Sequence, residues 1–135
     1  MEVKVESKIG QLCSSNERIY DFLSNCNNFQ QFAANEKVKN WQSDSDFCSF
    51  SVDGIGDIVF RIVERNPDSM IKFSIENAQA ENIFLWVQMK SASFNDTRVK
   101  LTAKLEVNRV IGMFISKPLK NGLDKIVETL EYVCK

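Results

Sequence analysis

The side chains that could do chemistry are few and scattered. Histidine is absent from the chain, so neither a Ser-His-Asp nor a Cys-His unit can form. General acid–base work would fall to carboxylates, lysine, tyrosine or arginine. Tyr20 and Tyr132 both lie in helical patterns, and Tyr20 adjoins the apolar face of its own. Glu64 shares strand parity with Phe60 and Ile62, which puts it at the rim of an apolar face or on a wet strand end. Cys13, Cys26, Cys48 and Cys134 are widely and irregularly spaced, with no C-x-x-C pair. Without histidine, such thiols do not make a zinc set. They read as reduced, buried or half-buried cysteines. Gly54 and Gly56 fit a turn and lack a phosphate-loop motif. The sequence therefore assigns no catalytic residue, no metal ligand and no cofactor.

Composition bounds the rest. The chain has 135 residues, 44% of them hydrophobic and 26% charged, as expected of one globular domain spanning residues 1–135. A net charge of −1 gives no bulk attraction to nucleic acid. The opening MEVKVESKIG places charges at alternate positions, a strand pattern rather than a signal peptide. No run approaches the ~18 apolar residues of a membrane span. A cytoplasmic protein without an integral membrane segment is expected.

The elements follow from periodicity. Val3, Val5, Ser7 and Ile9 alternate with Lys4, Glu6 and Lys8, predicting a first strand with one wet face. Ser14 as N-cap with Glu17 three residues on fits a capping box. Ile19, Phe22, Leu23 and Cys26 then recur at helical spacing, and Asn25, Asn27 and Asn28 end that helix. A second short helix would carry Phe29, Phe32 and Ala33 on one face. Six strands follow, at 37–42, 47–52, about 58–63, about 71–76, 83–90 and 98–107. Asp53-Gly54, Asn66-Pro67-Asp68, the stretch 77–82 and Asn95-Asp96 separate five of them. From about Arg109 the period becomes helical. Leu119, Leu123, Ile126, Leu130 and Val133 form one apolar stripe, and Pro118 predicts a kink.

This order resembles the START-like superfamily, also called the helix-grip or SRPBCC group. Polyketide cyclases, lipid-transfer domains and plant pathogenesis-related allergens belong to it. The Ser14–Ser24 helix ending in Phe22-Leu23-Ser24-Asn25 carries the resemblance. So do the hairpin Gly54-Ile55-Gly56-Asp57 and the stretches Thr97–Leu101 and Ser116–Leu119. The likeness covers nearly the whole chain. It implies an α+β fold in which a curved antiparallel sheet of about seven strands (β-α-α-β6-α) grips the last helix around a cavity. It does not imply one activity.

Strand parity says which residues would face that helix. Charged faces point to water. That leaves Ile58, Phe60, Ile62, Ile71, Phe73, Ile75, Leu85, Val87, Met89, Val99, Leu101, Ala103 and Leu105 inside, with Phe114, Leu119, Leu123, Ile126 and Leu130 facing back. The expected cavity lining is Phe60, Ile62, Phe73, Ile75, Leu85, Val87, Leu101 and Ala103 from the sheet. From the helix it is Phe114, Leu119 and Leu123. These residues either fill an ordinary core or, in part, line a ligand pocket. Phe84 and Trp86 fall on the opposite face and would either meet a partner, such as a second copy in a homodimer, or pack under a loop. Arg61, Arg65, Lys72, Arg98, Lys100 and Lys104 are also placed outside, interspersed with Glu64, Glu76 and Glu106, as on a solvated face.

Three functions stay open on these grounds. The leading one is binding or transport of a small hydrophobic ligand, lipid or polyketide-like, in the cavity. The second is a cyclase or dehydratase-type enzyme, which the near absence of ionisable inner residues disfavours. The third is a protein-interaction module of the chaperone-activator type, using the outer sheet face.

Overall fold

The computed structural model describes residues 1–33, 37–78 and 80–134; of Phe32 and Ala33 only the backbone is described. Strands β1 (Glu2–Glu6) and β2 (Gly10–Leu12) are followed by helix α1 (Asn16–Leu23) and a 3-10 helix, Cys26–Ala33. Then come β3 (Val38–Ser43), β4 (Phe47–Val52), β5 (Gly56–Asn66), β6 (Met70–Asn77), β7 (Ala80–Ser93) and β8 (Asp96–Glu106). Helix α2 (Arg109–Val133) closes the described chain. All strands form one antiparallel sheet in the order β1-β8-β7-β6-β5-β4-β3, with β2 also on β8. The α+β helix-grip fold class that the resemblance implies is the one observed.

Local chemistry explains the turns. Gly54 and Gly56, at φ 84° and 98°, carry the β4–β5 hairpin, where a side chain would be strained. Asp68 (φ 64°) and Asn95 (φ 52°) do the same for the next tight turns, residues that tolerate left-handed backbone. The cap of α1 lies one residue later than predicted. Ser15, not Ser14, takes the Arg18 amide at 3.3 Å. Ser14 is buried instead, its carbonyl accepting the Thr97 hydroxyl at 2.8 Å. Asn108 caps α2 by accepting the Ile111 amide at 2.9 Å.

Bulges change the faces that simple alternation predicts. The first strand is interrupted between β1 and β2, because its register against β8 slips by one residue between Glu6↔Thr102 and Gly10↔Val99. At the break the Leu101 amide donates to the Ser7 hydroxyl at 2.9 Å, and Ile9 turns out to solvent, 67% exposed. In β5 the register slips between Ile62↔Phe73 and Glu64↔Lys72. The extra residue, Val63, puts Arg65 opposite the fully buried Ile71. Arg65 is therefore not on the outer face. Its guanidinium donates to the Ser24 carbonyl (2.9 Å), the Ser45 carbonyl (3.4 Å) and Asp46 Oδ1 (2.8 Å), tying the end of α1 to the β3–β4 turn.

The outer face is otherwise solvated as expected. Arg61 pairs with Glu76, Lys100 with Glu6 and Lys104 with Glu2. Phe84 and Trp86 lie there side by side, half-buried, with the Lys72 ammonium 4.5 Å and 5.2 Å from their ring centres.

Helix α2 packs along the concave side through Leu123, Val127 and Leu130. Val127 rather than Ile126 is the fully buried member of the stripe. The helix approaches closely at Gly10, where any β-carbon would strike the Val127 side chain. It continues through Pro118 without interruption. The proline leaves the Phe114 carbonyl without its usual donor, and residue 114 lies on the solvent side. Phe114 is 71% exposed, so its predicted inward orientation is wrong. The first turns of α2 hold only Gly112 and Ile115 against the body, while Val110, Met113 and Phe114 point away.

Candidate functional site

A hollow of about 340 Å³ lies between the sheet and the C-terminal half of α2. Its floor comes from five adjacent strands. The register pairs Cys48 with Phe60, Phe73 with Leu85 and Val87 with Leu101, so these side chains share the concave face. Leu23 at the end of α1 and Phe29 of the 3-10 helix make one wall, Val38 and Trp41 of β3 another. Lys125, Ile126, Thr129 and Leu130 of α2 form the roof and mouth.

Five aromatic rings line this space in a continuous row. Trp41 stacks on Phe50 at 5.4 Å and 16°, and Phe50 on Phe60 at 5.9 Å and 29°. Phe60 meets Phe73 edge-on at 6.2 Å, and Phe73 meets Phe29 at 5.9 Å. Trp41 reaches the row through a bulge in β3, where Asn40 adopts φ 59° and the register against β4 slips. Its indole N–H donates to the Ser43 hydroxyl at 3.2 Å, so the polar edge is satisfied within the wall.

Of the residues predicted to line a cavity, the structure brings together Phe60, Phe73, Leu85, Val87 and Leu101. Ile62, Ile75 and Leu119 are partly buried against the core, and Ala103 and Leu123 are buried within it; none of these five reaches the hollow. Phe114 is on the surface. The far wall was missed. Leu23, Phe29, Val38, Trp41, Cys48 and Phe50 come from elements whose faces the alternation argument did not assign. The signal available was the aromatic pair Trp41 and Phe50 in adjoining strand patterns.

The lining is almost free of ionisable groups. Cys48 is buried beside Cys26, whose interaction, with burial adding to it, pushes its thiol above the usual range and disfavours the nucleophilic thiolate. All four cysteines are free thiols. Lys125 is the single charged side chain among the described residues of the lining. Among the described residues, no group of three or more Cys, Asp or Glu side chains is placed to hold a metal ion.

The carboxylates of α2 face elsewhere. Asp124 Oδ1 accepts the Lys8 amide at 2.7 Å, and Glu131 Oε2 the Gln11 amide at 3.0 Å. Glu128 Oε1 pairs with the Lys8 ammonium at 2.7 Å. The Lys8 amide, with Lys120 adding to it, holds the Asp124 carboxyl below the usual carboxylate range. The Glu128 hydrogen bond holds Lys8 above its ordinary value.

Comparison with solved structures identifies the fold. A START superfamily protein from Mycobacterium smegmatis superposes with a TM-score of 0.75 over 98% of this chain and 96% of its own, at 15% identity. This is the START-like helix-grip fold. Norcoclaurine synthase from Thalictrum flavum, solved with dopamine and hydroxybenzaldehyde, shares it with a TM-score of 0.74 at 10% identity, covering 98% of this chain and 86% of that one. Mll3558 from Rhizobium loti does so with a TM-score of 0.72 at 15% identity, covering 98% and 96%. No family model matches the sequence, and no curated protein matches it. At these identities the likeness extends to the helix-grip fold alone. Among the described residues no helix is long and apolar enough to cross a membrane.

Proposed function

We propose that the protein binds and carries a small apolar molecule in the hollow between the sheet and α2. The observation that carries this reading is the row of five aromatic rings facing about 340 Å³ of space beside the helix. That volume lies near the lower end of small-molecule sites, roughly 300–1,000 Å³. Burying a ligand there gains about 25 cal/mol per Å² of apolar surface. Carriage is favoured over catalysis because no carboxylate joins Lys125 in the described lining, so an acid–base pair does not converge on bound substrate. The reduced thiols fit a cytoplasmic site of action.

The test is binding of Nile red, an uncharged environment-sensitive dye, together with a panel of lipids and aromatics. Wild-type protein is expected to raise the dye's fluorescence and to release it to competitors. Phe73→Trp narrows the space and should weaken binding, at a stability cost of ~1–3 kcal/mol from overpacking. Failure of the wild type to bind the dye or any panel member would overturn the reading. Equal affinity in the variant would move the site away from Phe73.

A further inference from the structure

We infer that the ligand taken up by the hollow is an amphiphile bearing one anionic group, such as a carboxylate, which pairs with Lys125 at the mouth. This rests on the apolar-binding reading above and adds the class of ligand to it. Among the described residues, the donors around the hollow are few, and nearly all are engaged. The Trp41 N–H is held by Ser43, and the Cys48 thiol is hydrogen-bonded with Cys26. The Thr129 hydroxyl donates to the Lys125 carbonyl at 2.9 Å. Lys125 forms no ion pair among the described residues, whereas its helix neighbour Lys120 pairs with Asp124 at 3.3 Å.

The charge layout of α2 explains why that ammonium stays available. Asp124, Glu128 and Glu131 are turned to the first strand, where Lys8 and Gln11 engage them. None of these acids lines the hollow. The helix is thus acidic toward β1–β2 and basic toward the mouth. Lys125 is exposed, so its apolar stem can follow the rim while the ammonium stays in water. A carboxylate meeting it there keeps its own hydration, and only the tail is buried against the aromatic row. The expensive step of burying a charge is avoided. The same ammonium repels a cationic amine of equal tail length.

Three probes with one tail decide this: decanoate, decanol and decylamine, each titrated calorimetrically into the full chain at neutral pH. The expected order of affinity is decanoate, then decanol, then decylamine. The step from decanol to decanoate should be roughly threefold to fivefold, the scale of an exposed ion pair. Lys125→Gln should bring decanoate level with decanol, and Lys125→Glu should reverse the order of decanoate and decylamine. Decanol affinity should shift far less than decanoate affinity, and both variants should melt as the wild type does, because the side chain is exposed. Equal binding of the three probes by wild type, or an unchanged preference in both variants, overturns the role of Lys125 while the apolar hollow stands. Absence of binding by all three while Nile red still binds overturns the amphiphile class and leaves the hollow standing; loss of Nile red and the panel as well overturns both readings.

Discussion

The backbone amide of Lys8 donates to Asp124 Oδ1 at 2.7 Å, across 116 positions of sequence. At the break between β1 and β2 the first strand turns this amide away from β8, and α2 supplies the acceptor that the strand cannot. Glu131 does the same for Gln11. The C-terminal helix is therefore bonded to the sheet edge through backbone groups as well as packed on it.

Asp124 should make the fold acid-sensitive. Its carboxyl titrates below the usual range, so the unfolded chain binds the proton more readily than the folded one. The stabilisation is full above the unfolded pKa of about 3.9 and is lost as pH falls through the folded value. Asp124→Asn removes this term. Thermal melting at pH 7 and pH 3 should show a smaller acid-induced drop for the variant than for wild type. Equal drops would mean that the Lys8 amide does not set this carboxyl.

Gly10 should tolerate no side chain while Val127 is present. Gly10→Ala drives a methyl into the buried Val127 side chain, costing about 1–3 kcal/mol. Val127→Ala in the same chain opens room, so the double variant should be less destabilised than the two single losses summed. Urea denaturation of all four proteins measures the coupling. Strict additivity would place the helix farther from β2.

Two substitutions on α2 should part company. Leu123 is buried against the sheet and Phe114 is 71% exposed. Leu123→Asp buries an unpaired carboxylate at a cost of several kcal/mol, close to the whole stability of a small domain. Phe114→Asp should stay within about 0.5 kcal/mol of wild type. A cooperative wild-type-like melt for Leu123→Asp would show that this turn of the helix faces water.

The thiols should react in order of exposure. Cys13 is exposed, Cys134 is partly buried with its thiol raised by burial, and Cys26 and Cys48 are fully enclosed. A time course of iodoacetamide labelling, mapped by mass spectrometry, should show Cys13 first and Cys48 only after unfolding. Recovery of a specific disulfide from most molecules before any reductant is added would contradict the free-thiol state.

How far the sequence could be read depended on where the alternation stays regular. The bounds of β4 and the start of α2 were legible, because Phe47–Val52 ends at an Asp-Gly turn and the period becomes helical from about Arg109. Phe60, Phe73, Leu85, Val87 and Leu101 were legible as inward because no bulge separates them from their strand neighbours. Arg65 and Ile9 were not, since one inserted residue reverses every face beyond it. Trp41 was hidden by the same device at Asn40. Phe114 was misassigned because it leaves the helical period: five residues before Leu119 it lies roughly 140° round the helix, and Gly112 and Ile115 take the inward positions there. The cavity itself depends on side-chain volumes across elements far apart in sequence, which no local pattern encodes.

The split first strand has a consequence for how the chain is made. Residues 2–12 pair in the sheet only with β8, and the amides of Lys8 and Gln11 find their acceptors only on α2. These residues leave the ribosome before their partners at 96–133, at a pace of roughly 5–20 residues per second. Until then a stretch of strand with open amides and apolar Val3, Val5 and Leu12 must wait unpaired, a template for any other extended chain nearby. Synthesis toward the C-terminus therefore closes β1 and β2 into the sheet only after β8 and α2 have followed, and their edge stays open in the interval.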